Sequence, residues 1–437
     1  MVNVEKTNDE RINPLLNGLG ESDTLAINEL SKKLISEGKT IYRFGLGQSP
    51  FPVPDNVVKA LRLNAPQKDY LPVKGLQILR EAVADFHHRK DGISAQPEHV
   101  IIGPGSKELV FLLQLVFNGE IIIISPCWVS YIPQAKILGK EISIIHSSYE
   151  NKWQLTPALF RDFLKKRNST TKPGLMILNY PGNPDGVSFS EESLKEIAGL
   201  ARQHHIFILS DEIYGQLHHK GKHVSIAKFY PEGTIISSGL SKWCGAGGWR
   251  LGTFTFPPNL NWLLEKMAVV ASETYTSVSA PIQFAAVQAF KASMEIEEYL
   301  WHVRKILTSI GNECVAILRK ANIRVHDPEG GFYLYLDFSE YSDKLKARGI
   351  STSKQLCTQL LTDTGVAILH GSSFSRPDDE FSARMAYVDF GGARALAAAK
   401  TIPLHEPLPE DFNRIYCAKV LEGVSLISEW IANGTKK

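Results

Sequence analysis

The sequence predicts an α/β protein with a mostly parallel central sheet, flanking helices and a smaller α+β domain. Two observations predict this class. Short runs of β-branched and aliphatic residues alternate with segments of helical length, as in sheets whose parallel strands are joined by helices. Five of these runs end in polar, aromatic or glycine-rich residues. Because ligands of such sheets bind at the carboxyl ends of the strands, this edge is the predicted functional site.

The first predicted strand, residues 100–102, leads into a glycine turn and then an apolar segment of helical length at 109–117. The turn contains Gly105, Ser106 and Lys107. Backbone N–H groups at a glycine turn and a helix N-terminus attract anions. The turn is therefore a predicted anion site.

Four further strands are predicted at residues 121–124, 175–178, 206–209 and 234–236. Each is followed closely by a side chain that could bind a ligand or take part in catalysis. In chain order these are Trp128, Asn183 in an Asn-Pro-Asp-Gly turn, Asp211 with Tyr214, and Lys242. Parallel strands place their carboxyl ends at one edge, so we expect these side chains to meet there.

Outside these strands, an amphipathic helix is predicted over residues 23–37, with Gly38 as its stop. Its expected buried positions are Leu25, Ile27, Leu30, Leu34 and Ile35. Residues 332–336 alternate as a strand does. We predict that residues 1–60 belong to a small domain together with residues 323–437, and that residues 61–322 form the large domain. A cleft between the two is the expected ligand site.

The segment around Lys242 has the most specific chemistry. Ser241-Lys242 is followed by Gly248-Trp249-Arg250-Leu251-Gly252. A lysine amine can form a Schiff base, glycines let the backbone approach an anion, and an arginine offers paired donors to phosphate. This pattern, with the strand ends listed above, resembles the pyridoxal-phosphate lysine region of the class I/II aminotransferases, the fold-type I family. The resemblance covers about residues 41–390.

The resemblance implies pyridoxal 5′-phosphate as cofactor and assigns roles around its ring. Lys242 corresponds to the lysine that forms the Schiff base and then moves the substrate proton. Asp211 corresponds to the carboxylate that pairs with the pyridinium nitrogen, which keeps the ring an electron sink. Asn183 and Tyr214 correspond to the pair that hydrogen-bonds the phenolic oxygen of the cofactor. Such bonds stabilise the anionic oxygen and lower the pKa of the Schiff base.

The resemblance also implies a phosphate cradle, an aromatic wall and a substrate subsite. Trp128 corresponds to the ring that stacks on the pyridine, Arg384 to the arginine that binds the substrate α-carboxylate, and Gly47 to a glycine beside that carboxylate. Tyr70 corresponds to a tyrosine that reaches the phosphate of the neighbouring subunit, which implies a homodimer with shared active sites. The residues of the implied cradle are Gly105, Ser106, Lys107, Ser241 and Arg250.

The sequence departs from the family pattern at two places. Gly239 stands where one branch has a phosphate-binding serine, so phosphate binding must rely on Ser241 and Arg250. Residues 391–412 are longer than the family leads us to expect. We interpret this stretch as a helical insertion near the substrate entrance.

The implied function is amino transfer from an L-amino acid to a 2-oxo acid. Aspartate-specific members of one branch use an arginine where this chain has Ser272-Glu273-Thr274. Another branch uses a lysine at the position of Lys107, which favours an acidic donor, with aromatic donors as the alternative. The same residues would serve a lyase, of the β-elimination or cyclopropane-forming type, because the cofactor itself stabilises the charge that forms on the substrate in each reaction. A non-enzymatic sensor is less favoured, since the residues before Ile41 are too few and too acidic for a DNA-binding domain.

Composition excludes other classes. The 48 basic and 46 acidic residues give a net charge of +2, so neither nucleic acid nor an anionic membrane is an expected partner. The five scattered cysteines predict a reducing compartment and no disulfide framework. With no apolar N-terminal segment, we expect a cytoplasmic protein. Three histidines near residue 220 have no cysteine partners, so we expect no metal site.

Overall fold

A computed structural model describes residues 11–167 and 172–433. The strands of this part are β1 (Tyr42–Arg43), β2 (Val100–Gly103), β3 (Glu120–Ser125), β4 (Ile142–His146), β5 (Gly174–Asn179), β6 (Ile206–Asp211), β7 (Thr234–Gly239), β8 (Gly252–Thr255), β9 (Tyr333–Asp337), β10 (Val366–Ala367), β11 (Leu369–His370) and β12 (Ser382–Ala386).

The α-helices of the same part are α1 (Asp23–Ser36), α2 (Asp55–Asn64), α3 (Gln77–Asp91), α4 (Ser106–Val116), α5 (Tyr131–Ile137), α6 (Pro157–Lys166), α7 (Glu191–Gln203), α8 (Asn261–Glu273), α9 (Ala280–Phe290), α10 (Met294–Lys320), α11 (Ser342–Ala347), α12 (Ser353–Thr364), α13 (Gly392–Ala399), α14 (Phe412–Tyr416) and α15 (Ala418–Asn433).

Seven strands form the central sheet, in the order β2-β8-β7-β6-β5-β3-β4. All six strands other than β8 run parallel, which confirms the predicted fold class and all five predicted strands. Strand β8 is antiparallel to both neighbours, with Gly252 opposite Gly239 and Gly103. Residues 240–251 join β7 to β8 without an α-helix, whereas the crossover between parallel strands usually contains one. The prediction did not include β8.

Side chains alternate between the two faces of the central sheet. Ile121 and Ile123 pack with α4 and α8 on one face. Ile122 and Ile124 pack with Phe160 of α6 and with α7 on the other. Helices therefore cover both faces, and the continuous apolar runs of these strands follow from burial on both sides. The rigid sheet fixes the positions of the turns at its carboxyl edge.

A second group of strands and helices is formed by residues 42–44 together with residues 323–433. Strands β11, β12 and β9 form an antiparallel sheet in which Arg384 lies opposite Tyr335 and Leu369. Strand β1 pairs in parallel with β10, so Tyr42 lies opposite Val366 and joins the N-terminal segment to the C-terminal part. The division into domains at residues 60 and 322 remains a prediction.

The predicted helix near the N-terminus is α1, but the prediction of its buried positions was partly wrong. Leu25, Leu30 and Ile35 are each more than 40% exposed, and Ser31 is the buried residue of this helix. Periodicity identifies an apolar stripe, yet it does not say whether the same chain covers that stripe.

The stretch at 391–412 is helical in part, as predicted, because α13 occupies Gly392–Ala399. Gly392 packs so closely on the segment before Val53 that a Cβ there would lie 2.2 Å from the carbonyl oxygen of Pro50. Its position at a substrate entrance remains a prediction. Within the ranges described, none of the helices is both long enough and apolar enough to span a membrane.

Candidate active site

A cavity of about 460 Å³ opens at the carboxyl edge of the central sheet. Its volume suits a small organic ligand. Nine of the residues predicted for the site line it, from strand ends that lie far apart in sequence. They are Ser106, Lys107, Trp128, Asn183, Asp211, Tyr214, Ser241, Lys242 and Arg250.

The remaining four predicted residues do not line this cavity. Gly47 accepts a hydrogen bond from Lys242, Gly105 lies against Arg250, and Arg384 donates to Asn183, so each contacts a lining residue. Tyr70 is 91% exposed. A tyrosine exposed to this extent has no role in the cavity of its own chain.

Lys242 lies three residues beyond the end of β7, in the turn that leads to β8. Its Nζ donates a hydrogen bond to the carbonyl oxygen of Gly47 at 2.8 Å. The same Nζ lies 5.6 Å from the ring centre of Tyr214 and 5.9 Å from that of Phe332. Backbone and aromatic faces therefore hold this amine in the cavity, and no carboxylate pairs with it in the described chain.

Asp211 is the last residue of β6 and is buried. Ser237 donates to its Oδ1 at 3.1 Å, and the hydroxyl of Tyr131 donates to its Oδ2. Burial raises the pKa of this carboxyl group, while the bonds from Tyr131 and Ser237 oppose the rise. None of the cationic side chains described forms an ion pair with it. A buried carboxylate without a cation is costly, so the residue fits a positively charged ring nitrogen.

The turn before α4 and the turn after Lys242 meet at Arg250. Gly105 has a φ of +90°, and a Cβ there would lie 2.2 Å from the Arg250 guanidinium. The two guanidinium nitrogens donate to the carbonyl oxygens of Gly247 at 3.1 Å and Pro104 at 3.3 Å. This cation therefore stands beside the free N–H groups at the start of α4. Together they fit a phosphate.

Trp128 forms one wall of the cavity. Its ring meets that of Tyr131 edge to face, with centres 5.1 Å apart, and the Nζ of Lys107 lies 5.3 Å from its centre. Burial lowers the pKa of Lys107, and the charges of Arg250 and Lys242 lower it further. Three cations on one cavity make it a site for an anionic ligand.

Arg384 forms a hydrogen bond with Asn183 in the site. Arg384 is buried on β12, donates to Asn183 Oδ1 at 3.0 Å, and also donates to the carbonyl oxygen of Gly45. Its Nε has no hydrogen-bond partner in the described part of the chain, and it forms no ion pair there. Burial lowers its pKa. An uncompensated buried guanidinium fits a carboxylate.

Four lining residues were absent from the predicted set: Leu46, Tyr131, Asn179 and Ile213. Asn179 ends β5, donates to the carbonyl oxygen of Asp211 at 2.7 Å, and accepts from the N–H of Asn183 at 2.8 Å. Because Asn179 follows a predicted strand, the sequence alone could have identified it as a site residue. Tyr131 begins α5 three residues after Trp128, and the sequence carries no corresponding signal for it.

The three histidines considered for a metal have separate partners. His223 Nε2 lies 2.8 Å from Glu212, His219 Nε2 lies 3.2 Å from the carbonyl oxygen of Gly331, and His218 Nδ1 accepts from the turn that follows it. Each therefore has a local structural contact. That the protein binds no metal remains a prediction.

Comparison with known proteins agrees with this geometry. The family model of aminotransferase class I and II matches residues 39–388. The aspartate aminotransferase of Bacillus sp. (strain YM-2) is 31% identical over 369 residues, covering 82% of this chain and 91% of the relative. That of Pyrococcus horikoshii is 30% identical, covering 91% and 94%.

Among solved structures, the aspartate aminotransferase from Thermus thermophilus with maleate superimposes with a TM-score of 0.80. It is 25% identical, and the match covers 95% of this chain and 98% of that one. The similarity therefore extends over the whole fold, including the small-domain elements that carry Arg384.

Proposed function

The chain belongs to the class I and II aminotransferases, and on that premise we propose that its cavity binds pyridoxal 5′-phosphate and moves the amino group of an acidic L-amino acid to a 2-oxo acid. The relatives described above carry aminotransferase names, which favours the transaminase over the lyase alternative. Nothing in those comparisons supports the lyase.

One observation carries the proposal: two buried charges of opposite sign lack ionic partners next to the lysine amine. Asp211 is an unpaired buried carboxylate and Arg384 an unpaired buried guanidinium, as far as the described residues go. A protonated ring nitrogen would neutralise the first and a substrate carboxylate the second. Lys242 lies in the same cavity, where its amine would bond the cofactor and then move the proton at the substrate α-carbon.

Other residues would hold and orient the cofactor. The N–H groups at the start of α4, with Ser106, Ser241 and Arg250, would hold the phosphate, and Trp128 would stack on the ring. Asn183 and Tyr214 would hydrogen-bond the phenolic oxygen. When bound, the cofactor supplies an electron sink for the charge left on the substrate carbon.

The acidic donor is inferred from Lys107. Its ammonium group faces the cavity over Trp128, where it would bind a second carboxylate of the substrate. The Bacillus and Pyrococcus relatives are aspartate aminotransferases, and the Thermus structure holds the dicarboxylate maleate. We further propose a homodimer in which Tyr70, exposed in one chain, reaches the phosphate site of the partner subunit.

Steady-state kinetics with aspartate and with phenylalanine as donors would test this proposal. Replacing Lys107 with Met should lower kcat/KM for aspartate by about tenfold or more, the effect of one charge-assisted hydrogen bond. The value for phenylalanine should change little. Lys136→Met, on the exposed side of α5, is the matched control and should affect neither donor. Equal losses for both donors would assign Lys107 to the phosphate instead, and failure of amino transfer with every donor would overturn the proposed function.

A further inference from the structure

A buried pair of tyrosine hydroxyls lies at the edge of the cavity. The hydroxyl oxygens of Tyr214 and Tyr333 are 2.9 Å apart, and their rings meet nearly edge to face with centres separated by 5.5 Å. Neither hydroxyl has another hydrogen-bond partner within residues 11–167 and 172–433. The sequence identified Tyr333 only as part of a strand, although it is 1% exposed and contacts a predicted site residue.

Two neighbours lie close to Tyr333. The guanidinium carbon of Arg384 lies 4.8 Å from the centre of the Tyr333 ring. Gly47 is so close that a Cβ there would lie 1.8 Å from the Tyr333 oxygen. With the anionic phenolic oxygen of the cofactor bound in the cavity, the hydrogen of Tyr214 would have a charged acceptor there, and the Tyr214 oxygen would be left to accept from Tyr333.

Each phenol carries one hydrogen, so the direction of the pair decides whether Tyr214 has a hydrogen left for a ligand. If Tyr333 donates across the 2.9 Å contact, the hydrogen of Tyr214 stays free for a ligand in the cavity. If Tyr214 donated instead, it would have none to offer. We propose that Tyr333 is a positioning residue that holds Tyr214 as a hydrogen-bond donor toward the phenolic oxygen of pyridoxal 5′-phosphate. This rests on the proposed function.

The arrangement has a defined chemical effect. Burial raises the pKa of Tyr214, so Tyr214 remains a neutral donor. A donor directed at the phenolic oxygen stabilises that oxygen as an anion, and this lowers the pKa at which the bound chromophore titrates. Tyr333 acts on this pKa through Tyr214, without contact with the substrate.

The test is a pH titration of the visible absorbance of the bound cofactor. Tyr333→Phe removes one hydroxyl and keeps the ring. We expect its titration midpoint to rise by about 0.5 to 1 pH unit, the equivalent of one ordinary hydrogen bond. Tyr335→Phe is the matched control, because Tyr335 is equally buried on the same strand and its hydroxyl contacts Ser382 at 3.0 Å. Its midpoint should equal that of the wild type.

A double-mutant cycle separates positioning from a general loss of structure. In a Tyr214→Phe background, Tyr333→Phe should produce no further shift. Tyr333→His, which keeps a ring donor, should recover part of the wild-type midpoint. An unchanged midpoint in Tyr333→Phe, or the same shift in both backgrounds, would overturn the inference while leaving the proposed function intact. A wild-type protein that binds no chromophore would overturn both.

Discussion

The amine of Lys242 and the carbonyl oxygen of Gly47 are joined by a hydrogen bond of 2.8 Å, although 195 positions separate them in the chain. The bond connects the turn after β7 to the segment that follows β1, so the reactive amine is held by both groups of secondary-structure elements.

The first prediction concerns Gly47. A Gly47→Ala variant places a methyl group 1.8 Å from the Tyr333 hydroxyl, and relieving such overpacking costs about 1–3 kcal/mol. We expect a lower melting temperature together with weaker binding of cofactor and amino acid, measured by thermal unfolding and by absorbance titration. Gly199→Ala is the control, since nothing lies within 4 Å of that site in α7. A Gly47→Ala protein with wild-type stability and affinity would contradict the described packing.

The second prediction concerns Asp211. In Asp211→Asn the side chain keeps its size but loses its charge, and one of its two acceptor oxygens is replaced by a donor amide nitrogen. We expect retained cofactor and a fall in kcat of roughly 100-fold or more, because the ring nitrogen loses its buried counter-charge. Ser237→Ala, which removes the 3.1 Å bond to the same carboxylate, should cost about tenfold or less. Near-normal turnover in Asp211→Asn would mean that the partner of the ring nitrogen lies elsewhere.

The third prediction concerns the proposed sharing of sites between subunits. Tyr70→Phe should weaken cofactor phosphate binding about tenfold through loss of one hydrogen bond, and Lys242→Ala should be inactive. Unfolding and refolding the two variants together creates mixed dimers that contain one intact site. Activity should then rise toward roughly a quarter of that of the wild type. The assay is run at a cofactor concentration well below the dissociation constant of Tyr70→Phe. A refolded mixture whose activity there equals that of its Tyr70→Phe subunits alone would exclude a shared site.

The fourth prediction concerns Asp185, which is buried beside Asn183. Burial raises the pKa of this carboxyl group to about 7, and Glu329 contributes, although the N–H of Val187 opposes the rise. The folded protein therefore binds a proton that the unfolded chain has lost, and this stabilising contribution disappears as the pH rises from about 4 to 7. Asp185→Asn keeps the acceptor for Val187, which lies at 2.8 Å.

Thermal unfolding at several pH values tests the Asp185 prediction. The variant should be more stable than the wild type at pH 8, by about 4 kcal/mol, and the difference should shrink toward pH 5. Asp162→Asn is the control, because that side chain is exposed. A stability difference that stays constant with pH would contradict the role assigned to the buried charge.

Much of the fold could be predicted because its strands are fully buried. The isoleucine run of β3 alternates between two apolar faces, which leaves a continuous apolar signal in the sequence. Strand β8 reads Gly-Thr-Phe-Thr and carries no such signal. In α1 the error has the opposite sign, because positions predicted to be buried are exposed. Periodicity predicts an apolar face but does not show what covers it.

The chemistry of the site was predictable where one residue ends or follows a strand, as Asp211 ends β6 and Trp128 follows β3. Contacts between elements were not. Tyr131 reaches Asp211 from the start of a helix, and Tyr333 reaches Tyr214 from the second sheet. Both depend on how the elements pack, and no local pattern encodes that packing.

The most direct test of the central claim is a single half-reaction. The purified protein, reconstituted with pyridoxal 5′-phosphate, is mixed with aspartate in the absence of any 2-oxo acid, and its visible spectrum is recorded. We expect the wild type to lose its visible band and convert the bound cofactor to the amine form, while Lys242→Ala leaves the cofactor unconverted. A wild-type spectrum unchanged by every amino acid tried, or equal conversion by Lys242→Ala, would contradict the account.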